Sequence, residues 1–143
     1  MTGSKPQPAR IEVDLQRHVT PPLSELRAHI RVMLADQPSD CVEDVELLAT
    51  ELVSNAYDHG VRPLFARLWR PDHLRLVRLE VDDSDSSHLP VLGVSRFGAN
   101  RGRGLVMVDQ LAQRWGSAVR SWGKTIWAEV ACGPTTALRP VGR

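Results

Sequence analysis

The sequence predicts an α+β fold with a single domain, because segments of helical periodicity are followed by paired runs of strand-like residues. Two stretches before Gly60 repeat apolar residues every three or four positions, and two pairs of short apolar runs after it are each joined by a brief turn. A chain of 143 residues with 42% hydrophobic content suffices for one core. We expect this domain over residues 10–132, between flexible tails at residues 1–9 and 133–143.

The first half of the chain is predicted to hold one strand and two helices. Residues 9–16, ARIEVDLQ, alternate as a strand does, and the two prolines of PPLSELRAHIRVMLAD open a helix with apolar residues at helical spacing. Ser39 or Asp40 is suited to cap the second helix, which runs through ELVSNAYDHG. That helix is expected to stop at Gly60, a residue suited to the left-handed position that ends helices.

The second half is predicted to hold two hairpins around a long loop and a third helix. LFARLW and LRLVRLEV are separated by a short polar turn and indicate antiparallel strands. Residues 82–101 are rich in Ser, Asp, Gly and Pro, and loops of this length are usually functional or disordered. GLVMVDQLAQRW has a helical pattern, and SAVRSW and KTIWAEVA flank Gly123 as a closing hairpin.

Charge, cysteine content and hydropathy narrow the class of protein. The formal net charge is +1, so no large positive field favours direct nucleic-acid binding. Cys41 and Cys132 form neither a CxxC pair nor a cluster with histidines, which predicts two reduced, structural thiols and no metal site. The first residues carry no apolar signal, and no apolar run reaches eighteen residues, so we expect a cytoplasmic protein without membrane association.

A polar stripe on the second helix is the first candidate site. Glu51, Asn55 and His59 lie four residues apart, so they stack on one side of a helix beside its apolar face. A carboxylate can accept a proton, and an amide oxygen can bind a hard cation such as Mg²⁺ without adding charge. The stripe therefore suits nucleotide chemistry, although the solvated edge of an ordinary amphipathic helix gives the same spacing.

Two further candidate sites lie in the second half of the chain. Asp83 stands where the strand of LEVDDSDSS ends, and its carboxylate can accept a hydrogen bond from an exocyclic amine such as that of adenine. A calcium loop is excluded there, because its required glycine and glutamate are missing at the sixth and twelfth positions. Gly102, Arg103, Gly104 and Leu105 open the third helix and can present backbone N–H groups to phosphates, although flexible linkers often contain such glycine pairs.

Taken in order, the stretches ELVSNAYDHG, LEVDDSDSSHLP, NRGRGLVMVDQLAQRWG and GKTIWAEV resemble a known family. They are similar to the ATP-binding (GHKL, or Bergerat) domain of sensor histidine kinases, gyrase and Hsp90-type chaperones, and within it to the small anti-sigma factor serine/threonine kinases of actinobacterial type. The match covers roughly residues 15–131. It implies the histidine kinase-like ATPase fold, an α+β two-layer sandwich with a mixed, mostly antiparallel sheet and helices on one face.

The resemblance also implies a role for each matching residue. Glu51 would be the catalytic base that takes a proton from a partner's hydroxyl, Asn55 the Mg²⁺ ligand, Asp83 the residue that recognises adenine, and Thr125 its support from the sheet. The loop of residues 85–101 would be a lid over the nucleotide. The full set expected to contact ATP is Asn55, His59, Asp83, Gly102, Arg103, Gly104, Leu105 and Thr125.

The function implied by the resemblance is that of a transcription regulator with kinase activity. Such a protein uses ATP and Mg²⁺ to phosphorylate an anti-anti-sigma (STAS-type) protein, and it sequesters a sigma factor; a homodimer is one expected state. The first glycine box of the family, V-x-D-x-G-x-G, is altered, because Asp85 and Ser87 replace its glycines. The added negative charge would repel phosphates, so an ATP-binding regulator without kinase activity, or a partner-binding regulator without nucleotide, is the alternative.

Overall fold

Residues that alternate between apolar and charged build one sheet in this chain, and residues at helical spacing build the helices that cover it. The computed structural model describes residues 10–58, 62–71, 75–85 and 108–132. A 3-10 turn follows the first strand, and residues 108–111 are also helical. The strands and longer helices are β1 (Arg10–Asp14), α1 (Leu23–Met33), α2 (Ser39–Asp58), β2 (Pro63–Trp69), β3 (Leu76–Asp83), β4 (Arg114–Arg120) and β5 (Gly123–Ala131).

The five strands form one sheet in the order β1-β2-β3-β5-β4. Every neighbouring pair among the described strands is antiparallel, so the expectation of a mixed sheet is wrong for this part of the chain. The two predicted hairpins are confirmed, because β2 pairs with β3 and β4 pairs with β5. The architecture is therefore α+β, with helices packed on one face of an antiparallel sheet.

The core lies between the helices and one face of the sheet. In β3, Val77, Leu79 and Val81 are buried because alternate side chains of a strand point to the same face. On α2, buried residues recur every three or four positions, as a helix with one apolar side requires. The principal core residues from the helices are Leu26, Ile30, Met33, Val45, Leu48, Leu52 and Ala56.

The start of α2 differs from the sequence prediction. The backbone N–H groups of Cys41 and Val42 both donate to the carbonyl of Pro38, so the helix begins one residue earlier than a cap at Ser39 would require and two earlier than a cap at Asp40 would. Ser39 and Asp40 lie inside the first turn. The acidic side chain of Asp40 is still favourable there, because the N-terminal end of a helix carries partial positive charge.

The third predicted helix is shorter at its C-terminal end than expected. Arg114 begins strand β4, although GLVMVDQLAQRW continues a helical pattern through this residue. The N–H of Gln113 donates to the carbonyl of Glu129 on β5 at 2.7 Å, and the Arg114 guanidinium donates to the Glu129 carboxylate. Pairing with β5 therefore overrides the local helical preference.

The two cysteines form a disulfide, so the prediction of two reduced thiols is wrong. Cys41, in the first turn of α2, is bonded to Cys132, the residue after β5, and their Cα atoms lie 5.4 Å apart. The two residues are 91 positions apart in the sequence, and only the packing of α2 on the sheet brings them together. Both are buried. None of the helices in the described ranges is long and apolar enough to cross a membrane.

The other face of the sheet carries a continuous chain of alternating charges. The Arg67 guanidinium donates to Asp82 and to Glu80, and Arg78 donates to Glu80 and to Glu129. Arg114 extends the chain from Glu129 onto β4. Burial would raise the pKa of Glu80, but hydrogen bonds and charge from the two neighbouring arginines outweigh burial and lower it. We call this set the outer-face ion chain; its charge-assisted hydrogen bonds compensate for the partial burial of its charged groups.

Candidate functional site

Asp83, the last residue of β3, carries a half-satisfied carboxylate. Its side chain is 1% exposed and lies on the helix-facing side of β3, in line with Val81. Oδ1 accepts two hydrogen bonds, from Lys124 Nζ at 2.9 Å and from the backbone N–H of Asp85 at 2.9 Å. Oδ2 is closed to solvent and has no hydrogen-bond partner among the described residues. An unsatisfied buried acceptor is costly, so Oδ2 is a place where a donor would be stabilised.

Lys124 is the site residue that the sequence analysis missed. It stands opposite Asp83 in the ladder between β3 and β5, and its side chain is 1% exposed. Besides its bond to Asp83, its ammonium group donates to the carbonyl of Asp85 at 2.9 Å. The neighbouring Gly123 has a φ of +152°, and a Cβ there would lie 2.0 Å from the Asp83 carbonyl oxygen. Only glycine therefore lets the β4–β5 turn lie close enough for Lys124 to reach Asp83.

Thr125 lies on the opposite face of the sheet from Asp83. The register pairs Thr125 with Asp82, and the Thr125 hydroxyl donates to Asp82 Oδ1 at 2.7 Å. Asp82 Oδ1 also accepts from Arg67 Nη2 at 2.8 Å, so Thr125 adjoins the outer-face ion chain. The structure thus brings Lys124, and not the neighbouring threonine, to the carboxylate of Asp83. The motif G-K-T contains both the lysine and the threonine, but only the strand register shows which of them faces which aspartate.

Glu51 is a partly buried carboxylate in the second half of α2. Burial, and secondly the negative charge of Asp58, raise the pKa of Glu51 above its ordinary value. Among the described residues, no hydrogen bond or ion pair engages its carboxylate. A carboxylate with a raised pKa binds a proton more strongly than a free one does, so Glu51 has the property that a general base needs.

Asn55 lies one turn after Glu51 and is 8% exposed. No hydrogen bond to its side-chain amide is found within the described residues, so its carbonyl oxygen can bind a ligand. No group of three or more His, Cys, Asp or Glu side chains suited to a metal ion occurs in the described ranges. A cation at Asn55 would therefore need water or phosphate oxygens for its other ligands, as Mg²⁺ commonly has in nucleotide sites.

The chain connectivity brings the end of α2 and Asp83 to the same end of the sheet. α2 ends at Asp58, β2 begins at Pro63, and Pro63 stands opposite Asp83 in the ladder. The backbone N–H of Ser84 also donates to the carbonyl of Arg62 at 3.0 Å. Asn55, in the last turn of α2, thus precedes by eight positions the strand end that borders Asp83.

Several predicted site residues lie outside the described residues. Residues 86–101 of the predicted lid, including Ser87, are among them. Asp85, the first residue of the predicted lid, is described and buried. The predicted nucleotide contacts that lie outside are His59, Gly102, Arg103, Gly104 and Leu105.

A cleft of about 640 Å³ opens beside this end of the sheet, between the 3-10 turn and the start of β2. Arg17, His18 and Arg62 line it, and Tyr57 closes one side by donating its hydroxyl to the Leu15 carbonyl. Its described lining does not include the half-satisfied carboxylate or the α2 amide, so this cleft is separate from the candidate site.

Comparison of the sequence with models of protein families gives no match, and comparison with curated proteins gives none either. What the chain does must therefore be inferred from its own residues.

Proposed function

We propose that this chain has the histidine kinase-like ATPase fold, binds ATP with Mg²⁺, and transfers phosphate to a serine or threonine of an anti-anti-sigma (STAS-type) protein. In the same proposal, it sequesters a sigma factor when that partner is phosphorylated. The observation that carries the proposal is the buried, unpartnered Oδ2 of Asp83.

The chemistry of Asp83 matches one edge of adenine. An ionised carboxylate only accepts hydrogen bonds, and the exocyclic amine of adenine only donates them in this role. Because Oδ2 is shielded from water, a donor that reaches it replaces no protein–water hydrogen bond at that atom. The pairing therefore gains more than the same contact would on an exposed aspartate, which supports a purine amine as the group that Asp83 recognises.

Two residues of α2 complete the proposed site. Asn55 would hold Mg²⁺ through its side-chain oxygen, and the ion would neutralise charge on the phosphates. Glu51 would accept the proton of the attacking hydroxyl, because its raised pKa and free carboxylate suit a general base. The two side chains lie four residues apart on one helix, so α2 sets their relative position.

Binding of Mg·ATP by calorimetry tests the site directly. We expect binding by the wild type, a large loss in Asn55→Ala, and nearly unchanged binding in Glu51→Ala. Phosphoryl transfer to a STAS-type protein should fall by about 10²–10⁴-fold in Glu51→Ala, because that is the usual contribution of a general base. Glu43→Ala is the matched control, since Glu43 is an exposed carboxylate on the same helix. Equal loss of binding in Glu51→Ala would exclude a purely catalytic role.

A partner-binding regulator without nucleotide is the second candidate, and the ion pair at Asp83 favours it. Lys124 already neutralises the carboxylate, and Oδ2 is closed to solvent, so a base can reach it only if the packing above it opens. Asp85 adds another acidic residue beside the site. Wild-type protein that binds no nucleotide in calorimetry would support this second candidate.

Exposed tryptophans offer surface for a protein partner in either case. Trp69 at the end of β2 is 49% exposed, and Trp122 in the β4–β5 turn is 46% exposed. Large aromatic side chains that remain half exposed are typical of protein interfaces, because they bury much area with few rotatable bonds. Loss of sigma-factor binding in Trp122→Ala, with unchanged stability, would assign this turn to the interface.

A further inference from the structure

The two oxygens of the Asp83 carboxylate have different surroundings. Within the part of the chain that the structure describes, two donors reach Asp83, the Lys124 ammonium and the Asp85 N–H, and both bond to Oδ1. Lys124 is held in place from a second direction by the Asp85 carbonyl and is as deeply buried as Asp83 itself. The carboxylate therefore cannot turn over without breaking two hydrogen bonds, and Oδ2 is the only oxygen left for a ligand.

We propose that Lys124 is the residue that determines base specificity in this site, an inference that rests on the proposed nucleotide-binding function. Because Lys124 donates to Oδ1, Oδ2 remains as the oxygen that accepts a hydrogen bond from a ligand. A purine with an amine at position 6 supplies the donor, whereas a purine with a carbonyl at that position sets two acceptors against each other. Sites built around a polar partner strongly reject analogues that leave it unpaired. The site accordingly selects 6-amino over 6-carbonyl purine nucleotides.

An Asp83→Asn variant should therefore prefer 6-carbonyl over 6-amino purine nucleotides, and it should not simply lose nucleotide binding. Lys124 and the Asp85 N–H are both donors, so the amide oxygen of the new asparagine must take the place of Oδ1. Its NH₂ group then takes the place of Oδ2 and presents a donor to the ligand. Lys124 and the Asp85 N–H together impose this orientation, and the NH₂ group then pairs with the carbonyl of a 6-oxopurine.

Calorimetry with Mg·ATP and Mg·ITP tests the inference, because the two nucleotides differ at the base where the amine is replaced by a carbonyl. In the wild type, ATP should bind about tenfold or more tightly than ITP, and in Asp83→Asn the ratio should reverse by a similar factor. In the double variant Asp83→Asn/Lys124→Met only the backbone N–H of Asp85 still orients the amide, so the ratio of the two affinities should move back to within about threefold of one.

The ratio of the two affinities separates specificity from folding. A general loss of structure weakens both nucleotides alike and leaves the ratio unchanged, whereas loss of the imposed orientation changes it. The double variant replaces a buried ion pair by two neutral groups and avoids the unpaired buried charge that Lys124→Met alone would leave. Asp83→Asn leaves the Lys124 ammonium buried beside a neutral amide, so if that variant fails to fold, the wild-type ratio decides: ITP bound as tightly as ATP would overturn the inference.

The outcomes distinguish this inference from the proposed function. Wild-type protein that binds ATP, together with an Asp83→Asn variant that still prefers ATP or loses both nucleotides equally, would overturn the role of Lys124 and leave the nucleotide site standing. A double variant that keeps the full reversed preference would also overturn it, because the Asp85 N–H alone would then fix the orientation. Wild-type protein that binds neither nucleotide would overturn both proposals.

Discussion

The disulfide between Cys41 and Cys132 joins residues 91 positions apart, so it strongly restricts the unfolded chain. With the loop-entropy relation, closing a loop of this length lowers the entropy of the unfolded state by about 15 cal/mol/K, which corresponds to about 4.6 kcal/mol at 25 °C. We expect Cys41→Ala/Cys132→Ala to lower the free energy of unfolding by about 4–5 kcal/mol and the melting temperature by roughly 10–20 °C.

Urea unfolding followed by tryptophan fluorescence measures this effect. The wild type is compared without and with a dithiol reductant, and the double variant is compared under the same two conditions. Reduced wild type should resemble the double variant, and the variant should not respond to the reductant. The reasoning fails if the wild-type midpoint is the same in both conditions. It also fails if alkylation and mass spectrometry count two free thiols in the native, unreduced protein.

Three further changes probe the strand end, the α2 carboxylate and the outer face. Gly123→Ala should lower the free energy of unfolding by more than about 3 kcal/mol, because the new Cβ meets the Asp83 carbonyl. In Gly116→Ala the new Cβ meets only a side chain, so the free energy of unfolding should fall by less. Urea midpoints compare the two variants. Glu51→Gln should raise the midpoint at pH 7 and leave it unchanged near pH 4, because the raised pKa of Glu51 means that its ionised form destabilises the fold as the pH rises. Glu129→Gln should lower the free energy of unfolding by about 1–3 kcal/mol at pH 7, because burial raises the pKa of Glu129 but the arginines bonded to it outweigh burial and lower it. The difference should vanish in acid, where the wild-type carboxylate is also neutral. Thermal melts from acid to pH 7 measure both effects.

Local periodicity was enough to predict most of the elements. The apolar residues of α2 recur at helical spacing over twenty residues, and each hairpin consists of two short strand-like runs on either side of a turn. Arg114 and Trp115 were predicted to be helical but lie in β4, because their pairing partners Glu129 and Ala128 are distant in the sequence and a local pattern contains no trace of them. The disulfide was missed for the same reason.

The candidate site was predictable in its residue types but not in its pairings. Glu51 and Asn55 follow from spacing alone, since one helix carries both. Asp83 follows from its place at a strand end, but its relation to β5 depends on register, and a change of one residue exchanges the two faces of a strand. Thr125 was therefore expected near Asp83, whereas the ladder sets Lys124 there and gives Thr125 to Asp82.

The outer-face ion chain restricts which substitutions the strands can accept during evolution. Glu80 bonds Arg67 on β2 and Arg78 on its own strand, and Arg78 in turn bonds Glu129 on β5. Reversing one charge inside such a chain turns two attractions into two repulsions at once. A tolerated charge reversal would thus require compensating changes on neighbouring strands. Substitutions on this face of β2, β3 and β5 should therefore be correlated, whereas exposed positions elsewhere should change independently.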